Sequence, residues 1–388
     1  MALPPATPAY ILRGHGSQIH ATTFVRSNRR LMTGDADGWI VIWSLIIKRP
    51  VAVWRAHQGS ILGASAWGSD KFITHGKDNK LIVWKLSEED EASMSIVLPV
   101  DTPPEPRKEP WILHILEVNT MNFCSFAQAD LPSNDEGSEE LLIAVPNTMS
   151  SETVDIFHLP SGKRIHTIPA SPTFKGGMIM ALSLFFHPLT SHLTVLAGYE
   201  SGHTSVSCLT TSWHALYTAN PHSQPILSLD VDPGKQFYFT SSADAVLAKH
   251  PISASNENVI GPVESMPLKV IKTKHSGQQG LKVRNDGKVL ATAGWDGRVR
   301  VYGVKGMKEL AVLKWHKEGC YAVAFADMDV EVEEGKDEGV DSQEEKGKAL
   351  ASRTGTMTVK EEREQKAKST HWLAVGSKDG KVSLWDIY

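Results

Sequence analysis

Four histidines stand 21 or 22 residues ahead of an aspartate: His15 and Asp37, His57 and Asp78, His222 and Asp244, His275 and Asp296. A fifth pair, His316 and Asp379, keeps the order across a longer interval. Imidazole, carboxylate and a nearby hydroxyl are the groups of a nucleophilic triad, in which the carboxylate orients the ring and the ring takes the hydroxyl proton. Histidines in number also suggest zinc. The spacing favours neither chemistry. Residues that recur along a chain are spread around a repeating architecture and do not gather at one point. There is no Gly-x-Ser-x-Gly elbow, no Gly-x-x-x-x-Gly-Lys-Ser/Thr phosphate loop, no His-Glu-x-x-His and no Cys-x-x-Cys. No catalytic residue, metal or cofactor is therefore expected.

The elements around these pairs repeat as well. Ile11–Leu45 and Val53–Leu86 both carry a histidine, a β-rich segment, a turn and a strand that ends in tryptophan. Asp37 precedes Trp43, and Asp78 precedes Trp84, by 6 residues. Thr273–Val304 places Tyr302 at the tryptophan position, and a copy beginning at His316 ends in Trp385. His222, Asp244 and His250 keep the spacing with histidine in place of tryptophan. Two weaker copies end at Phe157 and Ser207. With 87–110, 130–140 and 327–370 set aside as insertions, the rest divides into seven units of about 44 residues, within the roughly 40–45 of a four-stranded propeller blade. Alternating runs such as Trp39-Ile-Val-Ile-Trp43 read as half-buried strands, and Asp-Gly or Asp-Asn pairs as the tight turns between them.

On Gly14-His15, Trp385-Asp386 and this spacing, nearly the whole chain resembles the WD40 family. The resemblance implies an all-β, seven-bladed propeller. In such blades the aspartate accepts hydrogen bonds from the turn and the histidine, the histidine bonds a strand hydroxyl, and that hydroxyl receives the indole N–H. Here the sets would be His15, Asp37, Thr33 and Trp43; His57, Asp78, Thr74 and Trp84; and His316, Asp379, Ser377 or a neighbour, and Trp385. The family's closure implies that Ala9–Arg13 completes the blade formed by 320–387, fastening the two ends together. Ending just after an inner strand at Tyr388 suits that arrangement.

Composition narrows the setting. A net charge of −4 gives no general attraction for nucleic acid or anionic membranes. The first residues lack the basic and apolar regions of a secretory signal, and the longest apolar run is too short to span a bilayer. Cys124, Cys208 and Cys320, odd in number and far apart, suit reduced thiols in cytosol or nucleus. Residues 327–370, of which 327–348 carry ten acidic and three basic side chains, read as a charged, disordered insertion in the last blade, with docking of a basic partner as the sharper alternative. Arg29 and Arg30 are expected in a solvated hairpin. Trp295 and Trp315, with Lys77 and Lys378 at the position before the turn aspartate, are candidate contacts for a partner; packing between blades is the alternative for the tryptophans.

Pro8-Ala-Tyr-Ile-Leu-Arg-Gly-His15, Trp54-Arg-Ala-His-Gln-Gly59 and the terminal Ser383-Leu-Trp-Asp-Ile-Tyr further resemble the fungal ASTRA-associated proteins, relatives of the animal guanine nucleotide-binding protein beta-subunit-like protein 1. That resemblance implies a non-catalytic scaffold in the nuclear ASTRA assembly. It implies links to chromatin remodelling and to cochaperones that mature phosphatidylinositol-3-kinase-related kinases, without direct nucleic-acid, membrane or small-molecule binding. Another WD40 adaptor, such as a ubiquitin-ligase substrate receptor or a G-protein-beta-like scaffold, is the alternative. A G-protein beta subunit proper is disfavoured because the first blade begins within about ten residues, leaving no room for a long coiled-coil helix. A propeller enzyme would need a convergent polar pocket in the central channel, and none is expected.

Overall fold

The computed structural model describes residues 6–101, 107–119, 123–132, 139–253, 263–327 and 358–387. Seven four-stranded antiparallel sheets follow one another along the chain. Blade 1 holds Ile19–Val25, Arg30–Asp35, Trp39–Ser44 and Arg49–Arg55, and blade 2 holds Ile61–Trp67, Lys71–Gly76, Lys80–Lys85 and Trp111–Glu117. Blades 3 to 6 begin at Ala127, Ile179, Ile226 and Gln278. Blade 7 takes Cys320–Phe325, Trp372–Ser377 and Lys381–Asp386 from one end of the chain and Tyr10–Arg13 from the other. Tyr10 faces Leu384 and Arg13 faces Lys381, so the ring closes as expected. Closure leaves only short strand edges at the rim.

The blades pack through a repeated small-to-large contact. Gly34, Gly198 and Gly376 occupy one position of the second strand, where a Cβ would come within 2.8, 2.7 and 2.5 Å of Ile61, Ile226 and Ile19 in the following blade. Only a residue without a side chain leaves room for that isoleucine. Blades 5 and 6 carry Ser241 and Ala293 at that position, and blade 2 departs furthest. It carries His75 there, fully buried, with its ring 6.2 Å from Phe126 of the next blade.

Two insertions are anchored at their described ends. Residues 86–101 run along blade 1, where Ser95 accepts a hydrogen bond from Val53 and Gly14 from Val100. Glu91 is buried between Arg26 and Arg30, with Arg30 Nη2 at 2.8 Å. Arg30 is thus an internal ion-pair partner, which corrects its expected place in a solvated hairpin; Arg29 meets Glu88 near the surface at 2.7 Å. Segment 327–370 carries a helix, Val359–Ser369, whose Thr358 and Glu361 form a reciprocal cap. Asn28, in the first hairpin of blade 1, exchanges two hydrogen bonds with Asp327 and donates a third to Lys368 O. One side chain therefore ties both ends of the insertion, while 328–357, with most of the acidic run, lie outside the described residues.

Candidate functional site

Where a histidine–carboxylate pair forms, it serves its own blade. In blade 2, His57 reaches Asp78 Oδ1 through Nδ1 and Thr74 Oγ1 through Nε2, both at 2.8 Å, and Trp84 donates to the same hydroxyl at 2.8 Å. Asp78 Oδ2 accepts from the Gln58 N–H at 3.0 Å, which fastens the turn to the incoming chain. Burial opposes ionisation of Asp78, but the Gln58 N–H and His57 outweigh it and hold the carboxyl below its usual range. In blade 5, His222 joins Asp244 at 3.2 Å and Thr240 at 2.8 Å. His250 fills the tryptophan position, bonding Thr240 at 2.9 Å and the Tyr217 hydroxyl at 2.8 Å.

Three blades depart from the expected sets. In blade 1 the partner of His15 is Asp35, at 2.7 Å, and not Asp37, which is exposed. Asp35 stands at the end of its strand, fully buried, and its other oxygen accepts the Asp37 and Trp39 N–H groups at 3.0 Å. A carboxylate two residues closer thus holds both ring and turn, and Asp37 is left to solvent. Thr33 keeps its role, meeting His15 at 2.7 Å and Trp43 at 2.9 Å.

In blade 7 the hydroxyl belongs to Ser383, 2.8 Å from both His316 Nε2 and Trp385 Nε1. Ser377 instead bonds Gly319 O at 3.1 Å. Ser383 is the cross-strand partner of Val375, just as Val41 is of Thr33, so the hydroxyl has moved to the facing strand and still reaches the same space. His316 Nδ1 lies 3.4 Å from Asp379.

In blade 6 the set is not assembled. His275 is half-exposed and 3.9 Å from Asp296, whose carboxylate is taken by Arg300 at 2.6 Å; Thr292 bonds Gln278 at 2.6 Å. A buried guanidinium beside the turn outcompetes a histidine that would also have to be desolvated. These sets lie in different blades and share no centre. Among the described residues, no three His, Cys, Asp or Glu side chains converge as a metal site, and no helix is long and apolar enough to cross a membrane.

The hairpins joining second to third strands, and the links from one blade to the next, share one face of the ring. Their tips differ from blade to blade. Trp295 is 47% exposed and held by Gln279, which accepts its indole N–H at 2.7 Å. Lys77 is exposed, with its ammonium 3.9 Å above the ring of Phe123, itself 62% exposed. Lys378 is exposed on blade 7. Trp315 is not a free contact; it packs against the core shared by blades 6 and 7. Phe123 and the fully displayed Met149 were not expected on this face, because both lie in the degenerate stretch where the repeat gives no register.

The family model for the WD domain, G-beta repeat matches residues 6–44, 267–303 and 367–386. The chain is 51% identical to ASTRA-associated protein 1 of Verticillium alfalfae, over 98% of this chain and 93% of that protein. It is 47% identical to the protein of that name from Penicillium rubens, over 99% and 98%, and 32% identical to that of Schizosaccharomyces pombe, over 82% and 93%. The chain belongs to the ASTRA-associated protein 1 family.

In this family member the buried imidazoles confer an acid sensitivity whose sign is fixed. Burial, with His57 adding repulsion and Asp78 opposing, pushes His75 down to about 3; burial and His222 push His250 to about 3. Neither ring nitrogen of His75 meets a hydrogen-bond partner. The unfolded chain takes up these protons near pH 6.5, while the native protein does not. Stability is therefore full above about pH 7 and falls as the pH drops through 6.5 toward 3. Between about pH 7.5 and 5.5 the expected loss is about 1 kcal/mol per histidine. Urea midpoints that do not fall over that interval would contradict it.

Proposed function

We propose that this chain is a non-catalytic protein-interaction scaffold and a subunit of the ASTRA assembly in the nucleus. Its links run to chromatin remodelling and to cochaperone-assisted maturation of phosphatidylinositol-3-kinase-related kinases. The observation that carries the reading is how the polar side chains are used. In blades 1, 2, 5 and 7 the histidine and carboxylate groups hold turns of their own blade, while Trp295, Lys77 with Phe123, Met149 and Lys378 are displayed together on one face. Near-full-length similarity to proteins named for ASTRA association supports the choice of assembly.

The test is purification of the tagged full-length chain from its native cell, with partners identified by mass spectrometry. Large helical-repeat cochaperones, a giant kinase-like subunit and paired AAA+ helicases are the expected partners. A cullin adaptor, or no stable partner, would overturn the assignment. Within that experiment Trp295→Ala should leave unfolding within about 1 kcal/mol of the parent, since the ring is half-exposed. Loss of a central aromatic anchor costs about 2 kcal/mol of binding, so partner recovery should fall by roughly 30-fold. Undiminished recovery would remove Trp295 from the interface.

A further inference from the structure

The opposite face of the ring carries a group of five lysines on blades 5 and 6. Lys249 and Lys269 are cross-strand partners in blade 5. Lys269 Nζ donates to Gly306 O at 2.9 Å, which brings up the blade 6 turn bearing Lys305 and Lys308. Lys288 adjoins that turn, since its carbonyl accepts the Val304 N–H at 3.0 Å. Lys269, Lys288, Lys305 and Lys308 are exposed. Among the described residues, none of the five makes an ion pair with a carboxylate.

Three nearby acids pair with other cations, although Asp286 also accepts the Lys288 N–H at 3.0 Å and feels the Lys288 charge. Asp286 pairs with Arg284 at 2.6 Å and Asp230 with Lys282 at 3.2 Å, while Glu309 lies 3.9 Å from Arg300. Asp232, the carboxylate nearest in influence to Lys249, is buried. The Lys249 ammonium instead sits 3.4 Å over the ring of Phe237. Like charges gathered in this way repel one another, and an anionic group laid across them relieves that repulsion. Leu268, just before the outer strand of blade 5, and Val270 and Leu310 in the outer strands of blades 5 and 6 are exposed beside them.

We propose that this lysine patch on blades 5 and 6 docks a segment of a partner protein in which acidic and aliphatic residues alternate. The charge calls for an anion, and the exposed aliphatic side chains call for apolar groups within it. Nucleic acid fits less well. Among the described residues the nearby arginines, Arg284 and Arg300, are buried, the ring of Phe237 is already covered by Lys249, and the whole chain is net negative. The inference does not depend on which assembly the protein joins.

The experiment is fluorescence anisotropy on the full-length protein with a labelled peptide alternating glutamate and leucine. Polyglutamate of the same length and an oligothymidylate serve as comparisons. The Lys288→Glu, Lys305→Glu, Lys308→Glu triple variant should melt as the parent does and bind the peptide more weakly by at least about tenfold. The corresponding triple arginine variant should bind as the parent does. Equal binding by parent and triple glutamate variant, or none by the parent, would overturn the proposal. Equal affinity for polyglutamate would remove the aliphatic requirement, and tighter binding of oligothymidylate would hand the patch to nucleic acid. Each overturns it. So would a more than tenfold gain in peptide affinity when the acidic residues between 329 and 345 are neutralised in the full chain, because the chain's own acidic stretch would then be the occupant.

Discussion

Asp35→Ala is expected to destabilise the protein by about 3 kcal/mol, the order expected when a buried acceptor that serves several donors is removed, while Asp37→Ala changes stability by no more than about 0.5 kcal/mol. Both aspartates sit in the same turn, and the repeat pattern points to the second. Only Asp35 is buried, with one oxygen on His15 and the other on two backbone N–H groups. Its removal leaves the buried His15 ring without its acceptor and frees two part-buried N–H groups of the turn. Asp37 contributes its backbone, and alanine keeps that. Urea unfolding of the two variants decides the matter. Equal losses, or a larger loss for Asp37→Ala, would refute this account of the turn.

Trp84→Ala should cost a similar amount, about 3–5 kcal/mol, as for other large buried aromatics. Trp84 is 1% exposed and meets Trp54 edge-on at 6.0 Å, so truncation opens a cavity in the core between blades 1 and 2. It also takes the indole donor from Thr74 Oγ1, which still has to satisfy His57. Trp84→Phe separates the two effects. It retains most of the buried area and loses the donor, so it should recover more than half of the loss. Urea unfolding followed by circular dichroism reads both variants without relying on indole emission. If Trp84→Ala unfolded like the parent, the blade 2 register would be wrong.

The blades were legible where the repeat is strong. The apolar runs Trp39–Ser44 and Lys80–Lys85, bounded by turn residues, locate strands, and the structure buries them on both faces. The resemblance to WD40 repeats implied the set of His57, Thr74, Asp78 and Trp84 and the closure of the last blade by Ala9–Arg13, and the structure has both, with Tyr10–Arg13 paired to Lys381–Asp386. Legibility failed where a group could be supplied from more than one place. His275 and Asp296 have the right spacing, but a buried Arg300 that no spacing rule contains takes the carboxylate. Arg30 read as a surface charge because its partner, Glu91, lies 61 residues away in an insertion. Phe123 was missed because the stretch before Ala127 carries no repeat signal, although its ring lies under Lys77.

The division has one physical cause. Strand length, turn position and blade number are determined by groups near one another in sequence, through alternation, turn chemistry and a period that recurs along the chain. Which carboxylate meets His15, and which hydroxyl stands between His316 and Trp385, depends on distances across a closed ring. Paired strands make Val375 and Ser383 neighbours, and a hydroxyl on either can fill the same few ångströms. Hydrogen bonds respond to that separation and not to sequence interval, so the choice among near-equivalent donors and acceptors was made only when the blades came together.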